Sequence, residues 1–239
     1  MEVVGLWSVN ESTSHFHQED VGTWYRQTFG LWNFIKFCAY ACAIWTGRLI
    51  RGHPMTFSSL CRRQNTPYWS IQNPDDPQLH EWLSEQQVDV LVILTSHILK
   101  EPLLSKTRLG ILNQHTALLP SYRGLFPYFW ASIDKAPQGI TIHLVDQGID
   151  TGAVICRESI RGKPTQSMSS FYAHADQIFP DLLVQAVSRL NQGSAALEPL
   201  PQIQESYKGK PKRSDYLKFQ KAGGKITRLR DVFRALTWG

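Results

Sequence analysis

Four cysteines in 239 residues is few, and they stand at Cys38, Cys42, Cys61 and Cys156 without a second Cys or His pair to complete a zinc pattern. That spacing excludes both a disulfide-stapled scaffold and a zinc site. All four read as reduced, small apolar residues, the usual state inside the cytoplasm. Charged side chains are also scarce, at 19% of the chain, while 42% is hydrophobic. A disordered, charge-rich chain is thereby excluded, and one sizeable core is expected. The opening "MEVVGLWSVNES" has neither a basic leader nor a long apolar run, so no secretory signal is expected. No internal repeat or low-complexity tract interrupts the sequence. The compartment these absences predict is the cytoplasm, with peripheral membrane contact as the one variation.

What is present is uneven. The formal charge of +5 is concentrated between Lys208 and Arg234, where ten basic residues face only Asp215 and Asp231. The remainder is mildly acidic, so the basic character belongs to the tail. Such a tail is expected as a solvated end, with an anionic partner as the alternative. The segment "FGLWNFIKFCAYACAIW" (29–45) is apolar nearly all round, broken by Asn33 and Lys36 and flanked by Arg26, Arg48 and Arg51. A central lysine in a bilayer would cost about 2.5–3.5 kcal/mol on the insertion scale, and the segment barely reaches spanning length. It is expected as a buried helix or an oligomer contact, with a place at a membrane surface as the alternative.

Short apolar runs alternate with helical patterns along the chain. "EVVGLWSV" (2–9) and "TPYWSI" (66–71) read as strands, and "DPQLHEWLSEQQ" as a helix opened by Asp-Pro. "VDVLVILTS" (88–96) is a continuous apolar run, predicted to be a strand buried on both faces. "LGILNQH" (109–115), "GITIHLVD" (139–146) and "AVICRESI" (153–160) follow as strands, and "FPYFWASIDK" starts a helix. "SMSSFYAHADQIFPDLLVQAVSRLNQG" is a long helix in which Pro180 predicts a break or kink and Gly193 a stop. Helices alternating with strands predict an α/β fold. Residues 1–195 form the expected catalytic domain, with an apolar helical insertion at about 24–64. Residues 196–239 form a Pro-rich linker and a short basic C-terminal tail.

The chemistry centres on "ILNQHTALLPSYRG" (111–124) and "GITIHLVDQGIDTG" (139–152). An asparagine amide can donate to an oxygen that becomes negative, and a histidine near its pKa can donate or take a proton. On a strand, Asn113 and His115 point to one face. The loop "DQGIDTG" offers Asp146 and Asp150, and Gly148 and Gly152 let its backbone turn. A carboxylate beside the histidine would raise its pKa and could accept a proton. Two donors and a base suit acyl transfer to an amine without a covalent nucleophile.

The strings "NQHTALLPSYRGLFPYFWA" and "GITIHLVDQGIDTGAVI" resemble the folate-dependent formyltransferases, which use 10-formyltetrahydrofolate. The resemblance is dense over 88–160 and thinner to about 195. It implies a Rossmann-like domain with a mostly parallel sheet and an N-formyltransferase activity. Asn113 then matches the residue that holds the formyl oxygen. His115 matches the proton-shuttling histidine, and Asp150 the aspartate that orients it and helps deprotonate the amine. Ile98, Leu99, Val145 and Asp146 become the expected folate-pocket residues, and His143 is expected as a packed structural residue.

The resemblance further implies a small primary-amine acceptor, phosphorylated or nucleotide-linked, with an amino sugar preferred. A formyltetrahydrofolate hydrolase, a methionyl-tRNA formyltransferase-like enzyme and a non-catalytic membrane-peripheral relative are the alternatives, and nucleic acid is not the expected partner. Two departures stand out. Ala117 replaces a serine common in the family, and Gln114 replaces an aliphatic residue and needs a polar partner if buried. In addition, "EVVGLWSV" resembles the family's second strand. The first strand, normally central, is therefore expected to be missing, in a chain shortened relative to its functional form.

Overall fold

The computed structural model describes residues 2–10, 20–160, 166–192 and 206–237. In chain order these are β1 (Leu6–Val9), α1 (Val21–Phe29), α2 (Leu31–Ile50), α3 (Phe57–Arg63), β2 (Tyr68–Ile71), α4 (Pro77–Glu85), β3 (Val90–Ile93), β4 (Gly110–His115), β5 (Arg123–Gly124), α5 (Pro127–Ile133), β6 (Gln138–Leu144), β7 (Val154–Ile160), α6 (Met168–Asn191), β8 (Tyr207–Lys208), α7 (Arg213–Lys221) and α8 (Leu229–Ala235). The expected helix stop at Gly193 and most of the Pro-rich linker lie outside the described residues. The chain divides into two compact units, one of Met1–Gln86, Thr95–His97 and Ile226–Gly239, the other of Gln87–Leu94 and Ile98–Lys225.

In the first unit β1 pairs in parallel with β2, Leu6 opposite Tyr68. This register stacks Trp7 on Trp69, ring centroids 4.8 Å apart, and Trp82 of α4 closes on both. Gly5 is required there, because a Cβ would lie 2.8 Å from the rings of Trp69 and Trp82. Asp20 caps α1 by accepting from the Thr23 N–H at 2.7 Å, and Trp24, Tyr25 and Phe29 are buried beneath it. The apolar segment of 29–45 falls largely on α2, which does not bury itself as expected. Only Ala43 and Gly47 of it are buried, on the stripe that meets α8, while α1 packs on it through Tyr25 against Phe37 at 4.9 Å. A Cβ at Gly47 would sit 2.7 Å from the Leu236 carbonyl oxygen, so the close approach of α2 and α8 depends on that glycine. Among the described residues no helix is long and apolar enough to cross a membrane.

In the second unit a four-stranded sheet runs in the order β3-β4-β6-β7. β3 and β4 are parallel, while β4–β6 and β6–β7 are antiparallel. Across the described strands three pairings are parallel and two antiparallel, the parallel set including β1–β2 and β5–β8. The run 88–96 was expected to be buried on both faces. It yields only the four residues of β3, and Val92 is 38% and Leu94 68% exposed. The cause is position: β3 is an edge, hydrogen-bonded to β4 alone. The pair β1–β2 likewise forms its own sheet, with no described strand joining it to β3.

α6 runs unbroken through Pro180, with Phe171, Ala175, Leu182 and Ala186 buried, so the expected break does not occur. The basic tail is not the solvated end its charge suggests. Tyr216 and Phe219 of α7 are buried, and Phe219 stacks on Phe129 of α5 at 4.6 Å. The tail's charges occupy the outward positions while its aromatic residues supply the core.

Candidate active site

β4 and β6 carry the site. Their antiparallel register sets Asn113 opposite His143 and His115 opposite Thr141, so all four side chains share one sheet face. A bulge between Ile142 and His143 shifts the β6–β7 register there, a device that re-aims the neighbouring side chain. The alternation of β6 buries Ile140 and Ile142 on the other face.

Asp150 enters from the loop after β6. That loop is held by Asp146, whose Oδ1 accepts from the Gly148 N–H at 3.0 Å and from the Thr151 hydroxyl at 2.6 Å. Gly152 is needed for close approach rather than for an unusual φ, since a Cβ would lie 1.9 Å from the Leu144 carbonyl oxygen. Asp150 itself has φ of 52°, a left-handed conformation that aspartate tolerates better than most residues. Its Oδ2 accepts from the Gly124 N–H at 2.8 Å and lies 3.4 Å from His115 Nδ1. Its Oδ1 lies 3.5 Å from both His143 Nε2 and the Asn113 amide nitrogen. The Asn113 amide is also 3.3 Å from His143 Nε2. Asn113, His115 and Asp150, singled out in the sequence, are therefore brought into one cluster.

Sequence reasoning missed three members of this cluster. His143 was expected to be structural, yet its ring faces Asp150 and Asn113 while its Nδ1 meets the Leu144 carbonyl at 2.8 Å. Its position opposite Asn113 could have been found by aligning the antiparallel register of 111–115 with 139–144. The Gly124 N–H that anchors Asp150, and the Tyr122 carbonyl that accepts from His115 Nε2 at 2.8 Å, are backbone groups without a side-chain signal. Thr141 supports the floor: it donates to the Ala117 carbonyl at 2.6 Å and accepts from the Leu119 N–H at 3.1 Å. Ala117, where a serine was expected, is buried. Gln114 faces away from the cluster, and its buried Nε2 finds no partner among the described residues.

The four expected folate-pocket residues behave differently from one another. Leu99 is buried and Val145 half-buried, its N–H donated to the Ile111 carbonyl at 2.8 Å. Ile98 and Asp146 are exposed, and the Asp146 carboxylate is engaged in its own loop.

The electrostatics set the resting charges of the cluster. Burial lowers the His115 pKa, against the opposing pull of Asp150 and of the Tyr122 carbonyl. Burial alone would raise Asp150, but the hydrogen bond from His143, the charge of His115 and the Gly124 N–H outweigh it and hold the carboxyl at about 2. At neutral pH the resting cluster is thus an ionised Asp150 beside a neutral His115. Both ring nitrogens of His115 face acceptors, the Tyr122 carbonyl and Asp150. A proton arriving on that ring would be bound from two sides. The distances of 3.3–3.5 Å around the Asn113 amide are long for hydrogen bonds. Such an amide can be re-aimed at a substrate oxygen at little cost.

The chain is similar to known formyltransferases in sequence and in fold. The chain is 29% identical over 136 residues to methionyl-tRNA formyltransferase of Chlorobium chlorochromatii, a match covering 56% of this chain and 43% of that one. It is 32% identical over 168 residues to the same enzyme of Thermosynechococcus vestitus, covering 68% and 50%. The chain thus spans about half the length of these curated relatives. Among solved structures, the formyltransferase PseJ from Anoxybacillus kamchatkensis, determined with UDP-4,6-dideoxy-4-formamido-L-AltNAc and tetrahydrofolate, superposes with a TM-score of 0.54 at 19% identity. That match covers 74% of this chain and 93% of that one, and shows a shared fold. The sequence signature described as formyl transferase matches residues 47–187, more than half of the chain and all of the cluster. The chain belongs to the formyl transferase family.

Proposed function

We propose that the chain transfers a formyl group from 10-formyltetrahydrofolate to the primary amine of a small acceptor. The observation that carries this reading is the convergence of Asn113, His115 and Asp150 on one buried face, with His143 completing the ring of contacts. The folate donor supplies the formyl carbonyl. The Asn113 amide then turns one N–H from its long contacts to the formyl oxygen as negative charge develops there. Asp150, fixed by the Gly124 N–H, accepts the proton that the attacking amine must lose. His115 takes up that charge at the nitrogen facing Asp150, while its other nitrogen remains bound to the Tyr122 carbonyl. The new C–N bond to the acceptor replaces the one to the folate nitrogen, and the proton passes to that leaving nitrogen.

The acceptor is proposed to be nucleotide-linked or phosphorylated, with an amino sugar first. PseJ, whose fold this chain shares, was solved with a nucleotide-linked formamido sugar. The likeness to methionyl-tRNA formyltransferases covers only about half of those proteins. The proposed location is the cytoplasm. The test is tetrahydrofolate release from 10-formyltetrahydrofolate across a panel of amines, against an Asn113→Ala control. Amine-dependent release abolished by the substitution is expected. Amine-independent release would make the protein a hydrolase, and no release with any amine would contradict the transferase.

A further inference from the structure

The feature that the formyl-transfer site leaves unexplained is the outer face of α2. Leu31, Ile35, Cys38, Cys42, Trp45 and Leu49 recur at alternating steps of four and three residues, and each of them is exposed. Steps of four and three are the spacing of a helix–helix seam. Trp32 on its flank is also exposed, and Ile50 is 77% exposed at its end. The opposite stripe, Ala43 and Gly47, is already used against α8. With aromatic side chains covering about 150–250 Å² each, the exposed apolar groups of α2 leave roughly 700 Å² uncovered. That exceeds the usual patch on a monomer and approaches the roughly 800 Å² per partner of a standard interface.

The pattern is its own complement. Reversing the strip about the level of Tyr40 maps Leu31 onto Leu49, Ile35 onto Trp45 and Cys38 onto Cys42. A twofold interface requires that one patch match itself in this way. Large side chains stand at both ends and small thiols at the middle, so two such helices could approach closely where they cross. The strip carries no charge, so no like charges meet across the axis. A lipid surface is the weaker fit. Three arginines near the strip already donate to backbone carbonyls, Arg48 to Pro54 at 3.1 Å, Arg51 to Leu236 at 2.5 Å and Arg63 to Gly52 at 3.0 Å. They are engaged where phosphates would need them.

We propose that α2 pairs in antiparallel fashion with α2 of a second copy of this chain, burying the strip from Leu31 to Leu49 and setting Cys38 against the partner copy's residue at position 42. Sedimentation velocity of the full chain at micromolar concentration should give twice the chain mass. Ile35→Glu, which puts a charge opposite the bulky end of the strip, should halve that mass with an unchanged melting curve. Oxidation of the reduced protein with copper phenanthroline should yield a covalent dimer, lost in both Cys38→Ser and Cys42→Ser. A cross-link that survives either single substitution would mean a parallel or different pairing and overturn the arrangement. A monomeric wild-type chain, an Ile35→Glu variant that stays dimeric, or a monomer that sediments with phosphatidylglycerol vesicles would overturn the proposal. None of these readouts involves formyl transfer, so the dimer and the enzyme stand or fall separately.

Discussion

Replacing Asp150 by Asn keeps the side chain's shape and an oxygen for the Gly124 N–H, while removing the charge that His115 and His143 face. The Asp150 carboxyl is held at about 2, against an ordinary value of 3.8, and its side chain is only 12% exposed. A depression of that size corresponds to about 2 kcal/mol of folding stability. The sign follows from the direction. A depressed carboxyl contributes fully above its unfolded value, and the contribution is lost as the pH falls through the folded value. Urea denaturation of both proteins should therefore show the variant weaker by about 2 kcal/mol at neutral pH, with the gap closing toward pH 2. In the amine-dependent folate assay, kcat should fall by about 10²–10⁴, the usual worth of a positioned proton acceptor, with KM for the folate little changed. A stability gap that stays constant with pH, together with kcat within about tenfold of wild type, would refute the assignment of Asp150 as an ionised base.

Other substitutions probe the supports of the site. Gly152→Ala drives a Cβ to within 1.9 Å of the Leu144 carbonyl oxygen. It should shift the Asp150 loop, lowering both kcat and the melting temperature. Thr141→Val removes two buried hydrogen bonds, to Ala117 and Leu119, and should cost about 2–3 kcal/mol in urea denaturation. Gln114→Leu relieves the unpartnered buried amide nitrogen and should raise stability by about 1 kcal/mol without changing kcat.

The site was legible where the chemistry lies in side chains at fixed strand spacing. Asn113 and His115 must share a face because a strand repeats every two residues, and the structure confirms their common exposure to Asp150. His143 escaped because its partner lies across a register that one strand does not reveal. The Tyr122 carbonyl and the Gly124 N–H escaped because backbone groups are the same in every sequence. At the level of the fold, apolarity alone misled twice. The run 88–96 looked doubly buried but became an edge, and the apolar segment of 29–45 meets α1 and α8 yet leaves Leu31, Trp32, Ile35 and Trp45 exposed. The tail misled in the opposite sense, since counting its charges hid Tyr216 and Phe219, which anchor α7.

The central claim is that the Asn113 amide meets the formyl oxygen while Asp150 meets the amine. A crystal structure with a non-transferable 10-formyltetrahydrofolate analogue tests it most directly. The formyl oxygen should lie within about 3 Å of the Asn113 amide nitrogen, with that amide turned from His143 and open space for an amine beside Asp150. An analogue bound away from β4 and the 146–152 loop, or bound there with Asn113 still aimed at His143, would contradict the account.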